Sequence, residues 1–144
     1  MRSKGFTLVE LMVVLVIVGL FSAAVVLAIP DEGGGVRAEA LRFAARAQAA
    51  RELAVTGNRT IAVRLDARGY GFRLRRAGAW EAVAEKPFAD TLWQEGTVAA
   101  IRGPNRSIVF DPTGFAEPAQ LRLARGGRSA IVEIADGGQV HVAP

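Results

Sequence analysis

Residues Phe6 to Ile29 read FTLVELMVVLVIVGLFSAAVVLAI, 24 positions in which Glu10 is the only ionisable side chain. As a helix this run is roughly 36 Å long, enough to cross a hydrocarbon layer of about 30 Å. A secretory signal peptide is the competing reading, but its apolar region spans only about 7–15 residues before a small-residue cleavage site. A buried core helix is disfavoured, because the stretch is apolar on every face and too long for a chain of 144 residues to enclose. The segment is therefore expected to be a single-pass anchor. Arg2 and Lys4 precede it and Asp31 and Glu32 follow it, so the positive-inside rule places the N-terminus in the cytoplasm and the bulk of the chain outside. In a bacterium that outside is the periplasm.

The length fits one domain. With 18 Lys and Arg against 14 Asp and Glu, the chain carries a formal net charge of +4. Such a balance raises nucleic acid as a partner, subject to where the charge lies. The absence of Cys removes disulfide frameworks, thiol nucleophiles and zinc ribbons, and a single His leaves no partners for a His-based metal cluster. Most enzyme classes are excluded with them.

Glu10 is not explained by an anchor alone. A carboxylate near the apolar end of a membrane helix costs on the order of 2–3 kcal/mol and calls for a partner or a function, although the helix dipole offsets part of this in the first turns. The run Lys4-Gly5-Phe6-Thr7-Leu8-Val9-Glu10-Leu11, followed by apolar residues, resembles the class III signal of type IV pilins and type II secretion pseudopilins. That resemblance implies cleavage between Gly5 and Phe6 by a membrane-embedded prepilin peptidase, and methylation of the new amine on Phe6. It also implies an assembly role for Glu10, whose carboxylate pairs with the N-terminal amine of a neighbouring subunit and so avoids two isolated buried charges. The chain is then no enzyme but the substrate of one. Loss of a leader at 1–5 removes Arg2 and Lys4, which leaves 16 basic against 14 acidic side chains, a net charge of +2.

Beyond the anchor at 6–29, Pro30 and the three glycines Gly33, Gly34 and Gly35 read as a hinge over 30–35. An amphipathic helix is expected over 36–55, with Val36, Ala40, Phe43, Ala47, Ala50 and Ala54 on one stripe and Glu39, Arg42 and Arg46 on another, Glu39 within reach of Arg42. Thr56-Gly57-Asn58 ends it with residues that tolerate left-handed backbone. The rest, 58–144, reads as a β-domain. Ile61, Val63 and Leu65 alternate with Ala62 and Arg64, and Tyr70, Phe72 and Leu74 alternate with Gly71, Arg73 and Arg75, which makes a hairpin about 66–69. Weaker strands are expected near 98–101 and 107–110, then 121–123, 130–134 and 140–142. The stretch 77–96, with both tryptophans, is expected to be irregular.

This order, together with Ile108-Val109-Phe110-Asp111-Pro112-Thr113-Gly114 and a closing hairpin at Gly137-Gly138, resembles the H-type (GspH) minor pseudopilin domain, which is shared with FimT-like minor pilins. The resemblance implies an α+β, pilin-like fold, with a long N-terminal helix, membrane-spanning in its first half, packed on a small antiparallel β-domain. It implies a minor pseudopilin near the tip of the periplasmic pseudopilus of the type II secretion system, needed for export of folded proteins across the outer membrane. Its partners would be other minor pseudopilins, the major pseudopilin, the prepilin peptidase and the inner-membrane assembly platform. The alternative is a FimT-like type IV minor pilin for DNA uptake or for adhesion and motility.

No cofactor, metal or catalytic residue is expected. His141 reads as a solvent-facing strand residue and Asp111 as a turn residue that binds backbone donors. Trp80 and Trp93 read as core or contact aromatics. Arg73, Arg75 and Arg76 form one basic cluster, and Arg122, Arg125 and Arg128 form a second around Gly126-Gly127, either able to meet phosphates or an acidic partner. DNA-binding members of the FimT-like group carry a Gly-Arg-x-Arg motif where this chain reads Gly138-Gln139-Val140-His141. Nucleic acid is thus not the expected partner, although the second cluster keeps that reading open.

Overall fold

The computed structural model describes residues 8–28 and 35–144, with side chains described for 8–19 of the first segment. The chain divides into two compact units, Met1–Gly33 and Gly34–Pro144. The first holds α1, Leu8–Ala28, 21 residues of nearly unbroken apolar sequence. Such a helix is about 31 Å long.

The second unit begins with α2, Val36–Thr56. Gly35 stands at its N-cap in extended backbone, and its carbonyl accepts the Glu39 N–H at 3.1 Å. At the far end Gly57 stays right-handed and Asn58 takes the left-handed turn, φ 49°. The Arg59 N–H then returns to the Ala54 carbonyl at 2.9 Å, closing carbonyls the helix would otherwise leave open. The expected stripe is the buried one: Val36, Ala40, Phe43, Ala47, Ala50 and Ala54 are all 5% exposed or less.

Nine strands follow: β1 Ile61–Leu65, β2 Gly69–Arg76, β3 Ala79–Ala82, β4 Thr91–Leu92, β5 Val98–Arg102, β6 Ser107–Phe110, β7 Ala119–Arg125, β8 Arg128–Ile134 and β9 Val140–Val142. They form two antiparallel sheets. The first runs β3-β2-β1-β6, with β4 also on β2, and the second runs β5-β7-β8-β9. The α+β class expected from the sequence is the class observed, a helix packed on antiparallel sheets.

Period-two alternation decides which side chains enter the core. Ile61, Val63, Phe72, Ile108 and Phe110 come from the first sheet and Leu121, Leu123, Val132 and Ile134 from the second, all at most 2% exposed and in one cluster with the α2 stripe. Alanines on α2 let backbone and sheet approach closely, and Phe43 is the aromatic side chain the helix sends inward, edge-on to Tyr70 at 4.9 Å. Tyr70 in turn lies 4.8 Å from Trp93, which is buried, whereas Trp80 on β3 is half exposed.

The stretch 77–96 corrects the expectation of an irregular excursion. It contains β3 and β4, which share one edge of β2: β3 pairs with 73–76 and β4 with 69–70. Ala77 and Gly78 both have positive φ, 47° and 84°, the geometry of a two-residue hairpin turn. The sequence disguises this turn because Ala, not Asn or Gly, occupies its first position.

Candidate assembly site

Gly5 and Phe6, the expected cleavage and methylation positions, lie outside the described residues. So does most of the expected hinge; only Gly35 is described. Glu10 stands in the first turn of α1. Around it Leu8, Val9, Leu11, Met12, Val13, Val14, Leu15, Val16, Ile17 and Val18 are each 46–75% exposed, consecutive positions that point in all directions around the helix. An all-round apolar helix of this kind is covered by lipid or by other protein. Among the residues whose side chains are described, 8–19 in α1, no helix is long and apolar enough to cross a membrane. The crossing expected for 6–29 therefore stands on the sequence.

In the second unit, Glu39, expected on a stripe with Arg42 and Arg46 and within reach of Arg42, is buried with other partners. It is 6% exposed, the only charged residue among the buried ones described. Its Oε1 accepts the Gln94 N–H at 2.6 Å, its Oε2 accepts the Thr97 hydroxyl at 2.8 Å, and Arg125 Nη1 lies 3.6 Å from Oε2. Arg125 also donates to Gln94 Oε1 at 2.6 Å. A carboxylate is costly to bury unless paired and hydrogen-bonded, and here both conditions are met by groups from two distant segments. Arg125 therefore turns inward to a structural partner and does not stand with Arg122 and Arg128 as a three-residue basic patch.

Arg51, also on α2, donates from Nε to the Gly114 carbonyl at 2.8 Å and from Nη2 to the Gly137 carbonyl at 3.4 Å. It thereby ties two turns to the helix. A Cβ on Gly138 would lie 2.1 Å from the Gly114 oxygen, and Gly138 has φ +82°, so these turns interlock through bare backbone.

The first basic cluster is likewise engaged. Arg73 forms a two-pronged pair with Asp90, 2.8 and 3.2 Å. The bond from Arg73 holds the Asp90 carboxyl below the usual carboxylate range. The Arg75 guanidinium lies 5.8 Å from the Trp80 ring centre, and Arg76 lies 3.4 Å from Glu81. Asp111 is the turn residue expected. Its Oδ1 accepts the Thr113 N–H and hydroxyl and the Phe115 N–H, and the Thr113 hydroxyl leads in lowering its pKa. His141 is half exposed on β9 and pairs with Glu133 at 3.1 Å, while Gln120 donates to the other Glu133 oxygen at 2.9 Å. Among the described residues no three His, Cys, Asp or Glu side chains stand together as a metal site.

Sequence reasoning missed the Glu39 cluster, since residues 94, 97 and 125 carry no local sign of a buried acid on a helix. It also missed that Tyr70 and Trp93 meet, because the two are brought together by the pairing of β4 with β2 and by the bonds of Trp93 to the Arg68 and Asp66 carbonyls.

Comparison with known proteins agrees with this architecture. The family model described as prokaryotic N-terminal methylation motif matches residues 1–26, and the model for type II transport protein GspH matches residues 39–138. The type II secretion system protein H of Aeromonas hydrophila is 34% identical over 90 residues, 57% of this chain and 47% of that protein. The chain thus spans about half the length of the curated relative it matches. Among solved structures, the minor pseudopilin EpsH of Vibrio cholerae superposes with a TM-score of 0.67 at 19% identity, covering 75% of this chain and 95% of that one. The type IV minor pilin FimU of Pseudomonas aeruginosa gives 0.62 at 17% identity, covering 76% and 88%. At such identities these likenesses speak for the fold.

Proposed function

The chain belongs to the GspH family of type II transport proteins, and from that membership we propose that it is a minor pseudopilin of the type II secretion system, incorporated near the tip of the periplasmic pseudopilus and needed for export of folded proteins. The observation that carries the reading is one chain holding both matched parts, the methylation motif over 1–26 and the GspH domain over 39–138. In this reading the prepilin peptidase cuts between Gly5 and Phe6 and methylates Phe6. Residues 6–29 anchor the protein in the inner membrane with a cytoplasmic N-terminus and a periplasmic domain. Glu10 pairs with the terminal amine of a neighbouring subunit, and the exposed apolar surface of α1 is covered by lipid before assembly and by other pseudopilins after it.

A type IV minor pilin is the second reading, and it draws on the fold shared with FimU. Its nucleic-acid form is weakened by the arginines themselves: Arg73, Arg75, Arg76 and Arg125 are each held by neighbours in the same domain.

A deletion strain separates the two. Loss of exoprotein secretion with normal transformation and twitching is the expected result, and the reverse pattern overturns it. Intact-mass measurement of the assembled protein tests processing, since a chain still beginning at Met1 refutes cleavage. Glu10→Ala is expected to block incorporation, and wild-type assembly by that variant removes the role given to Glu10.

A further inference from the structure

A groove of about 210 Å3 lies between α2 and the segment 91–94. Arg42, Arg46, Tyr70, Thr91 and Gln94 contribute polar groups to it, and Leu92 is its apolar border. Arg42 and Arg46 stand one helical turn apart, so both guanidinium groups reach the same side of α2. Both line the groove beside Tyr70. Arg46 donates from Nη1 to the Tyr70 hydroxyl at 3.1 Å and also to the Thr91 hydroxyl, and Arg42 acts electrostatically on the same Tyr70 oxygen. The single acid among the lining residues, Glu39, has both oxygens occupied by Gln94, Thr97 and Arg125. The Thr91 hydroxyl gives its hydrogen to the Ala89 carbonyl at 3.0 Å, so the groove lines its entrance with two guanidinium groups, the Tyr70 hydroxyl and the Gln94 amide.

We propose that this groove is a binding site for a carboxylate, the side chain of an Asp or Glu presented by a neighbouring protein subunit. The neighbour rests on the pseudopilus reading above; the carboxylate chemistry rests on the groove alone. Planar guanidinium groups match a carboxylate in geometry as well as charge. Leu92, 76% exposed, points to protein over a bare anion. Free phosphate gains nothing from an apolar border, whereas a side chain arriving on a folded surface brings methylenes and neighbours that cover it.

The test uses the full chain in dodecylmaltoside micelles, with the Nε–Hε signals of its arginines followed by NMR during titration. The probes are N-acetyl-glutamate α-amide, a single side-chain carboxylate on a blocked backbone, its glutamine counterpart, and inorganic phosphate. The expected result is a saturable shift of Arg42 and Arg46 with the glutamate probe at millimolar concentration and none with the glutamine probe. Arg42→Gln is exposed and should preserve the remaining spectrum while weakening binding about tenfold. Arg46→Gln should weaken it as well, with loss of dispersion at Tyr70 marking any structural share. Absence of saturation, indifference to Arg42→Gln, or phosphate binding tenfold tighter than the glutamate probe each overturns the proposal. This titration needs no secretion machinery, so its failure leaves the secretion reading standing, and normal secretion in a deletion strain leaves the titration standing.

Discussion

Glu39 and Arg125 meet at 3.6 Å inside the domain, the first on α2 and the second at the end of β7. The acid is all but inaccessible and its partner is one-fifth exposed. Removing the arginine leaves the carboxylate with two neutral donors, and removing the acid leaves the part-buried Gln94 N–H without its acceptor. Glu39→Ala is expected to cost about 2–4 kcal/mol of stability and Arg125→Ala somewhat less. Urea unfolding followed by Trp93 fluorescence measures both, and the double variant should cost less than the sum.

Gly138 and Gly126 allow a controlled comparison of two left-handed glycines. Alanine at Gly126 meets open space and only the conformational cost, about 1 kcal/mol. Alanine at Gly138 meets the Gly114 carbonyl as well, a backbone atom that cannot step aside. Gly138→Ala is expected to cost about 3 kcal/mol or more, and thermal unfolding of the pair of variants isolates the steric part.

The Arg73 and Asp90 pair predicts an acid response. The Asp90 carboxyl titrates lower in the folded chain than in the unfolded one. Its contribution is therefore complete above the unfolded value and lost as pH falls through the folded one, that is, below about pH 4. Asp90 is 66% exposed in its side chain, so solvent screening holds the effect within about 1 kcal/mol. Asp90→Asn should flatten the dependence of stability on pH on the acid side and leave it unchanged near neutrality; an unaltered slope contradicts the assignment.

Phe43 is the large inward side chain of an otherwise alanine-lined helix face, and it touches both Tyr70 and Trp93. Phe43→Ala opens a cavity that backbone-close alanines cannot fill. A loss of about 3–5 kcal/mol is expected, against about 1 kcal/mol for Phe43→Leu. Near-UV circular dichroism should collapse for the alanine variant before far-UV signal is lost.

What the sequence made legible was periodic. Ile61 to Leu65 and Tyr70 to Leu74 announce a half-buried hairpin, and their observed pairing, Ile61 with Leu74 and Leu65 with Tyr70, is the one their alternation requires. The α2 stripe was equally plain, as were the Asp111 turn and the exposure of His141. What failed were features made by distant segments. Glu39 reads as a partner of Arg42 because helical spacing sees only its own helix, while its observed partners come from β7 and the loop before β5. Trp93 reads as a lone aromatic because its companion lies across a two-residue strand. The basic clusters looked available for an outside partner because counting charges does not show Asp90, Glu81 and Glu39 beside them.

Glu39 and Arg51, two of the side chains that fasten α2 to distant turns and strands, stand twelve positions apart, about 18 Å along the helix. Tension applied to the chain at Gly35 enters the domain along the helix axis. It is then shared between both fastenings and the buried alanine stripe between them, and so acts in shear and not by peeling one contact at a time. A domain loaded from its N-terminal end in this way resists unfolding for that reason.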